Sequence, residues 1–133
     1  MVVCTGSVPR SQPRRFIVVS VASSPVHPRE AGSAFTSNAI VPEDSFKVTE
    51  GTLKFYDVTD GSGRNNRHFF CADCGPSLYT KPDIFTEKIA IKGGGLDGGV
   101  NCLGSKISVE FYTQDRAANL SALDGAKQQH LLG

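Results

Sequence analysis

Apolar and polar positions alternate most plainly in Lys88-Ile89-Ala90-Ile91-Lys92 and in Ile107-Ser108-Val109-Glu110-Phe111. A period of two sends successive side chains to opposite faces of a strand, so each run predicts a half-buried strand with one apolar and one polar face. Runs rich in β-branched and aromatic residues predict further strands at Phe35 to Val41, Phe46 to Thr49, Leu53 to Val58, His68 to Cys71 and Ser77 to Thr80. Gly, Pro, Asp and Asn separate them. The stretch Asp60-Gly61-Ser62-Gly63-Arg64-Asn65-Asn66 reads as a turn or mobile loop, and Gly93-Gly94-Gly95 with Gly98-Gly99 as a second permissive region. Asp115 suits a helix N-cap, and Ala117, Ala118, Leu120, Leu123 and Ala126 then predict a short C-terminal helix, although Gly125 falls inside it. The pattern is that of an all-β, mainly antiparallel domain with one short helix.

The first part of the chain is different. Arg10, Arg14, Arg15 and Arg29 precede the first acid, Glu30, in a segment dominated by Ser, Pro and Val. That composition reads first as a flexible tail or an edge strand at Phe16 to Val21, and second as an organellar targeting segment. The organisation expected is a divergent or disordered segment over 1–30 and one β domain over 31–133, within the size of a single core. Fourteen Gly and seven Pro against one Met and no Trp agree with a turn-rich β protein rather than a helical bundle. Fourteen Lys and Arg against thirteen Asp and Glu leave a formal charge of +1, too little to attract nucleic acid or an anionic membrane. The apolar run Phe16 to Ala22 falls far short of the roughly 18 to 20 residues that span a bilayer. With no disulfide framework evident, a reducing, cytoplasmic setting is expected.

Of the four cysteines, Cys4, Cys71, Cys74 and Cys102, two form the pair Cys71-Ala72-Asp73-Cys74, followed by Gly75. Two thiolates separated by two residues, where a strand gives way to a turn, can face one metal ion, and the Gly permits the tight turn. Cys71 and Cys74 are therefore the candidate zinc ligands, and a structural zinc requires two more. Candidate partners are Cys4, His27 and Cys102, with His68 and His130 more remote. Each also has an ordinary reading: Cys102 as a loop or core thiol, His27 as an exposed loop residue, His68 as a half-buried strand residue. A thioredoxin-type redox pair fits less well, since Gly75-Pro76-Ser77-Leu78-Tyr79-Thr80 reads as turn and strand where that motif opens a helix. No paired carboxylates, Ser-His-Asp order or phosphate-binding Gly loop is present.

Gly32-Ser33-Ala34-Phe35, Val41-Pro42, Phe46, Glu50-Gly51-Thr52-Leu53-Lys54-Phe55-Tyr56, Phe70-Cys71-Ala72-Asp73-Cys74-Gly75 and Gly94-Gly95-Leu96-Asp97 follow one another in a recognisable order. Over about residues 31 to 113 the succession resembles the family of glutathione-dependent formaldehyde-activating enzymes and centromere protein V. The resemblance implies a compact, zinc-stabilised β-tent fold, a small thiol such as glutathione as partner, and a carbon-sulfur lyase that forms or cleaves S-hydroxymethylglutathione. It also implies that Cys71 and Cys74 are half of a structural zinc site completed by an N-terminal C-x-C-G motif. A second motif, C-x-C-x-x-C, holds a catalytic zinc in the family. Counted back from Gly32, its three positions fall here on Ala22, Ser24 and His27, and the C-x-C-G motif is missing as well. The alternative expectation is therefore a catalytically inactive zinc-binding scaffold or pseudoenzyme.

Overall fold

The computed structural model describes residues 6–7, 18–23, 32–60, 63–96 and 106–130. Within them the chain forms strands and short 3-10 turns, with no α-helix. The strands are β1 (Gly6–Ser7), β2 (Val18–Ala22), β3 (Thr36–Pro42), β4 (Lys47–Val48), β5 (Leu53–Thr59), β6 (Asn65–Cys71), β7 (Ser77–Pro82), β8 (Lys88–Lys92), β9 (Val109–Phe111) and β10 (Lys127–Gln128). Eight of them make one sheet in the order β10-β9-β2-β3-β8-β7-β6-β5, while β1 pairs with β4. Most neighbours are antiparallel, and β9 runs parallel to both β2 and β10. Among the described residues, no helix is long and apolar enough to cross a membrane.

Alternation within each strand sorts the side chains onto two faces. Ile89 and Ile91 of β8 pack on one face with Ala39, Val41, Leu78, Tyr79 and Cys71. Phe69 stacks on Tyr79 there, with ring centroids 4.5 Å apart, and Phe46 meets Tyr79 edge-on at 5.2 Å. The other face carries a smaller cluster of Ala22, Ile40, Val109 and Phe111, with Phe85, Ala90 and Tyr112 against it. Lys92 and Glu110, expected on solvated faces, are buried. Both sides of the central sheet are covered, so alternation in β8 and β9 separates two buried environments instead of core from water.

Three expectations change. The segment at 18–22 is a strand, but an interior one between β3 and β9 rather than an edge. The sheet therefore draws on residues ahead of the expected boundary at 31. The C-terminal helix does not form: after a 3-10 turn at Thr113–Asp115 the chain runs irregularly to β10. The backbone donors a helix would have used go elsewhere, Leu123 N–H to the Glu110 carboxylate and Lys127 and Gln129 N–H to the β9 segment carbonyls of Ser108 and Glu110. Gly125, with φ +75°, takes a left-handed turn that ends any helical run.

Candidate functional site

Two cross-strand rows on the smaller-cluster face bring polar groups together. Ser20 of β2 lies opposite Asn38 of β3, and Asn38 opposite Lys92 of β8. In the adjacent row His68 of β6 lies opposite Thr80 of β7, and Thr80 opposite Ala90 of β8. All five polar residues are buried, between 2% and 8% exposed. They line a cavity of about 80 Å³ whose wall also includes Ala22, Asp60, Phe111 and Tyr112. A water needs roughly 10–15 Å³ by this measure, so the space holds several waters or a small organic group.

Their hydrogen bonds leave one acceptor open. Asn38 Nδ2 donates to Thr36 Oγ1 at 3.1 Å and to the Thr36 carbonyl at 3.4 Å, while its Oδ1 is buried without a partner. An unpaired buried acceptor costs about 1–3 kcal/mol, which a bound donor would recover. His68 Nδ1 sits 3.4 Å from Thr80 Oγ1, and the imidazole stacks on Tyr56, with centroids 5.1 Å apart and 8° between planes. The ring is thereby fixed in orientation.

Beside these residues the backbone is strained at Tyr112, which holds φ 56° and ψ 43° as a non-glycine residue. Left-handed geometry outside glycine costs on the order of 1–3 kcal/mol and persists only where the surroundings impose it. Here it turns the chain from β9 into the 3-10 turn and seats Tyr112 on the cavity wall. Burial pushes the Tyr112 hydroxyl above its usual pKa, and the negative charge of Asp60 adds to the effect. Asp60 accepts from Arg64 N–H at 3.0 Å and pairs with the Arg64 guanidinium at 3.7 Å.

The cysteine pair lies elsewhere. Cys71, at the end of β6, belongs to the larger apolar cluster, whereas His68, three residues back, is on the cavity side. The turn after it is well tied: Gly75 N–H donates to Cys71 O at 2.9 Å, Cys71 N–H to Pro76 O at 3.0 Å, and Ala72 N–H to Thr52 O at 2.8 Å. Gly75 has φ +88°, which explains a glycine at that position. Cys74 is an exposed free thiol, and Cys71 is disulfide-bonded. A disulfide sulfur offers a metal no thiolate, so the pair can ligate zinc only after reduction.

Cys4, Ser24, His27 and Cys102 lie outside the described residues. His68 and Cys71 are on opposite sides of β6, so the structure does not join them, and His130 is exposed, with Nδ1 3.5 Å from Thr113 Oγ1. Among the described residues, no three His, Cys, Asp or Glu side chains are grouped as metal ligands. Sequence reading took His68 for an ordinary strand residue and missed the polar set on the cavity wall. Its one accessible signal was strand parity, which puts Asn66 and His68 on a single face of β6.

Among the described residues, the mixed eight-stranded sheet carries a small polar cavity on one face and a cysteine turn on the other. The chain belongs to the glutathione-dependent formaldehyde-activating enzyme family, whose model matches residues 28–115. No curated protein is found to match the chain. Counted back from Gly32, the resemblance puts one of the family's catalytic zinc positions on Ala22, which lines the cavity. A methyl group has no lone pair for a metal, so the residue present there does not fit that zinc.

Proposed function

We propose that the chain acts on the adduct of formaldehyde with a small thiol, glutathione or a close analogue, making or breaking its carbon-sulfur bond as a carbon-sulfur lyase. The observation that supports this reading is the buried polar cavity, which includes a position that the family resemblance assigns to catalysis. Its volume of about 80 Å³ suits the reacting end of the adduct, with the rest of the tripeptide outside. The test is exchange spectroscopy on full-length protein with isotope-labelled formaldehyde and glutathione. Interconversion of free and thiol-bound formaldehyde faster than in buffer supports the reading, and an unchanged rate contradicts it.

Zinc enters this reading in a structural place. Reduced Cys71 and Cys74 would supply two thiolates holding the turn between β6 and β7, with the remaining ligands outside the described residues. When bound, such an ion cross-links segments and stabilises the fold. A reducing compartment such as the cytoplasm suits both the thiolate pair and a thiol ligand. Reduced protein is expected to hold zinc by elemental mass spectrometry and Cys74→Ser to lose most of it. A metal-free reduced protein would remove the proposed ion.

Ala22 favours a second reading, a scaffold that binds the thiol adduct without turning it over. Saturable binding with no acceleration of exchange would establish that alternative.

A further inference from the structure

We propose that the turn from Cys71 to Cys74 is a thiol–disulfide exchange site, at which exposed Cys74 opens the disulfide of buried Cys71 and passes it on to a small thiol such as glutathione. The inference goes beyond the lyase reading and needs neither that activity nor a metal. It starts from the unlike states of two cysteines three residues apart. Cys71 is disulfide-bonded and 0% exposed, packed in the larger apolar cluster, whereas Cys74 is an exposed free thiol. Exchange requires a thiolate to reach a disulfide sulfur, so access decides which thiol attacks which sulfur. A thiol in solution finds no exposed surface on Cys71. Cys74 sits on the turn that Cys71 begins, and it faces solvent at the same time.

The turn keeps the two ends close. Gly75 N–H donates to Cys71 O and Cys71 N–H to Pro76 O, which closes residues 71–76 on themselves. Ala72 N–H donates to Thr52 O at 2.8 Å, and Asp73 Oδ2 accepts from Thr52 N–H at 3.2 Å, so the turn is also pinned to the residue ahead of β5. A tight turn brings Cα atoms three residues apart to within about 7 Å, and a disulfide spans roughly 4.4–6.8 Å between them. With the backbone fixed in this way, Cys74 meets the Cys71 disulfide as a tethered reactant, at an effective concentration of roughly millimolar or more.

The steps balance with a small thiol as the reductant. Cys74 loses its proton to solvent and its sulfur attacks Cys71 Sγ; the bond from Cys71 to its former partner breaks, and the pair goes to the partner sulfur, which takes up a proton. A Cys71–Cys74 disulfide results, with one sulfur on the exposed residue. A deprotonated small thiol then attacks Cys74 Sγ, the new disulfide breaks with its pair on Cys71, and a mixed disulfide remains on Cys74. A second small thiol attacks that mixed disulfide at the small-thiol sulfur and frees Cys74. In sum, two small thiols are oxidised to one disulfide and the protein disulfide is reduced to two thiols. An oxidised small disulfide drives the same steps in reverse.

The experiment uses full-length protein isolated without reductant and kept with a chelator, so that no metal masks a thiol. Glutathione is added, samples are quenched with acid and alkylated, and peptide mass mapping follows each cysteine in time. The wild type is expected to pass through a Cys71–Cys74 disulfide and a glutathione adduct on Cys74 before Cys71 becomes alkylatable. Cys74→Ser, a change at an exposed position, should release Cys71 more slowly by on the order of 10-fold or more, the loss of a tethered attacker. Starting from reduced protein, oxidised glutathione should place its adduct on Cys74 first and oxidise Cys71 only where Cys74 is present. The inference is overturned by a Cys74→Ser variant whose Cys71 is reduced and reoxidised at wild-type rates, or by a glutathione adduct that forms on other cysteines before Cys74. It is equally overturned by a wild-type Cys71 that takes up no disulfide from oxidised glutathione.

Discussion

Glu110 shows how a single residue can organise a segment. Its side chain is 3% exposed, and its carboxylate accepts from Arg116 Nε at 2.7 Å, Gln128 Nε2 at 3.0 Å and Leu123 N–H at 3.2 Å. Burial alone would raise its pKa. The bonds from Arg116, Gln128 and Leu123, with the charge of Arg116, outweigh burial and hold it below the ordinary glutamate value. A carboxyl with a lower pKa when folded than when unfolded contributes its full stability above the unfolded value. That contribution disappears as pH falls through the folded value. Glu110→Gln is therefore expected to lose about 1–3 kcal/mol near neutral pH, the cost of unmaking charged hydrogen bonds in a buried setting. Denaturant unfolding followed from pH 7 to pH 3 should show a shallower acid decline in Glu110→Gln than in the wild type. Parallel acid limbs would contradict this. At the surface, Asp57 has a pKa held down to about 2 by hydrogen bonds from Arg67 and Asn65. Arg67 Nε and Nη2 lie 2.8 and 2.9 Å from its two oxygens, a geometry that specifies the β5–β6 pairing more than it stabilises it.

The elements differ in how far their own sequence determines them. The alternating run at 88–92 gives β8 its observed bounds, because Ile89 and Ile91 can be buried together only in an extended chain. The turn after Cys71 was legible too, since its left-handed position calls for glycine. Gly75→Ala should cost on the order of 1–2 kcal/mol. A Cβ built there meets nothing within 4 Å, so the loss would be conformational rather than steric. Thermal unfolding of Gly75→Ala with an unchanged midpoint would refute that account. The C-terminal segment was read as a helix because its propensities are local, whereas its partners, the Glu110 carboxylate and the β9 carbonyls, are remote in sequence. For the same reason the site was half legible. The cysteine pair stands out by its spacing. The cavity depends on His68, Thr80, Asn38, Lys92 and Ser20 falling into two rows across five strands, a register that no single segment encodes.

Across the described residues the sheet keeps the proposed zinc turn and the cavity on opposite faces. Its larger apolar face holds Cys71 and the turn that carries Cys74; its other face holds the cavity. If the proposed zinc is held at the cysteine turn, its removal should lower the unfolding midpoint of the reduced protein while leaving the proposed exchange at the cavity nearly unchanged below that midpoint. Coupled loss of both would show that the two faces do not work independently. The central claim is that the polar cavity between β2, β3, β6, β7 and β8 receives the thiol-formaldehyde adduct. Backbone chemical-shift mapping of the labelled, reduced chain, titrated with glutathione and formaldehyde together, tests it most directly. Saturable shifts are expected at Ser20, Asn38, His68, Thr80 and Lys92, and not at the exposed edge residues of β5. Shifts confined to other surfaces, or none at saturating adduct, would contradict the account.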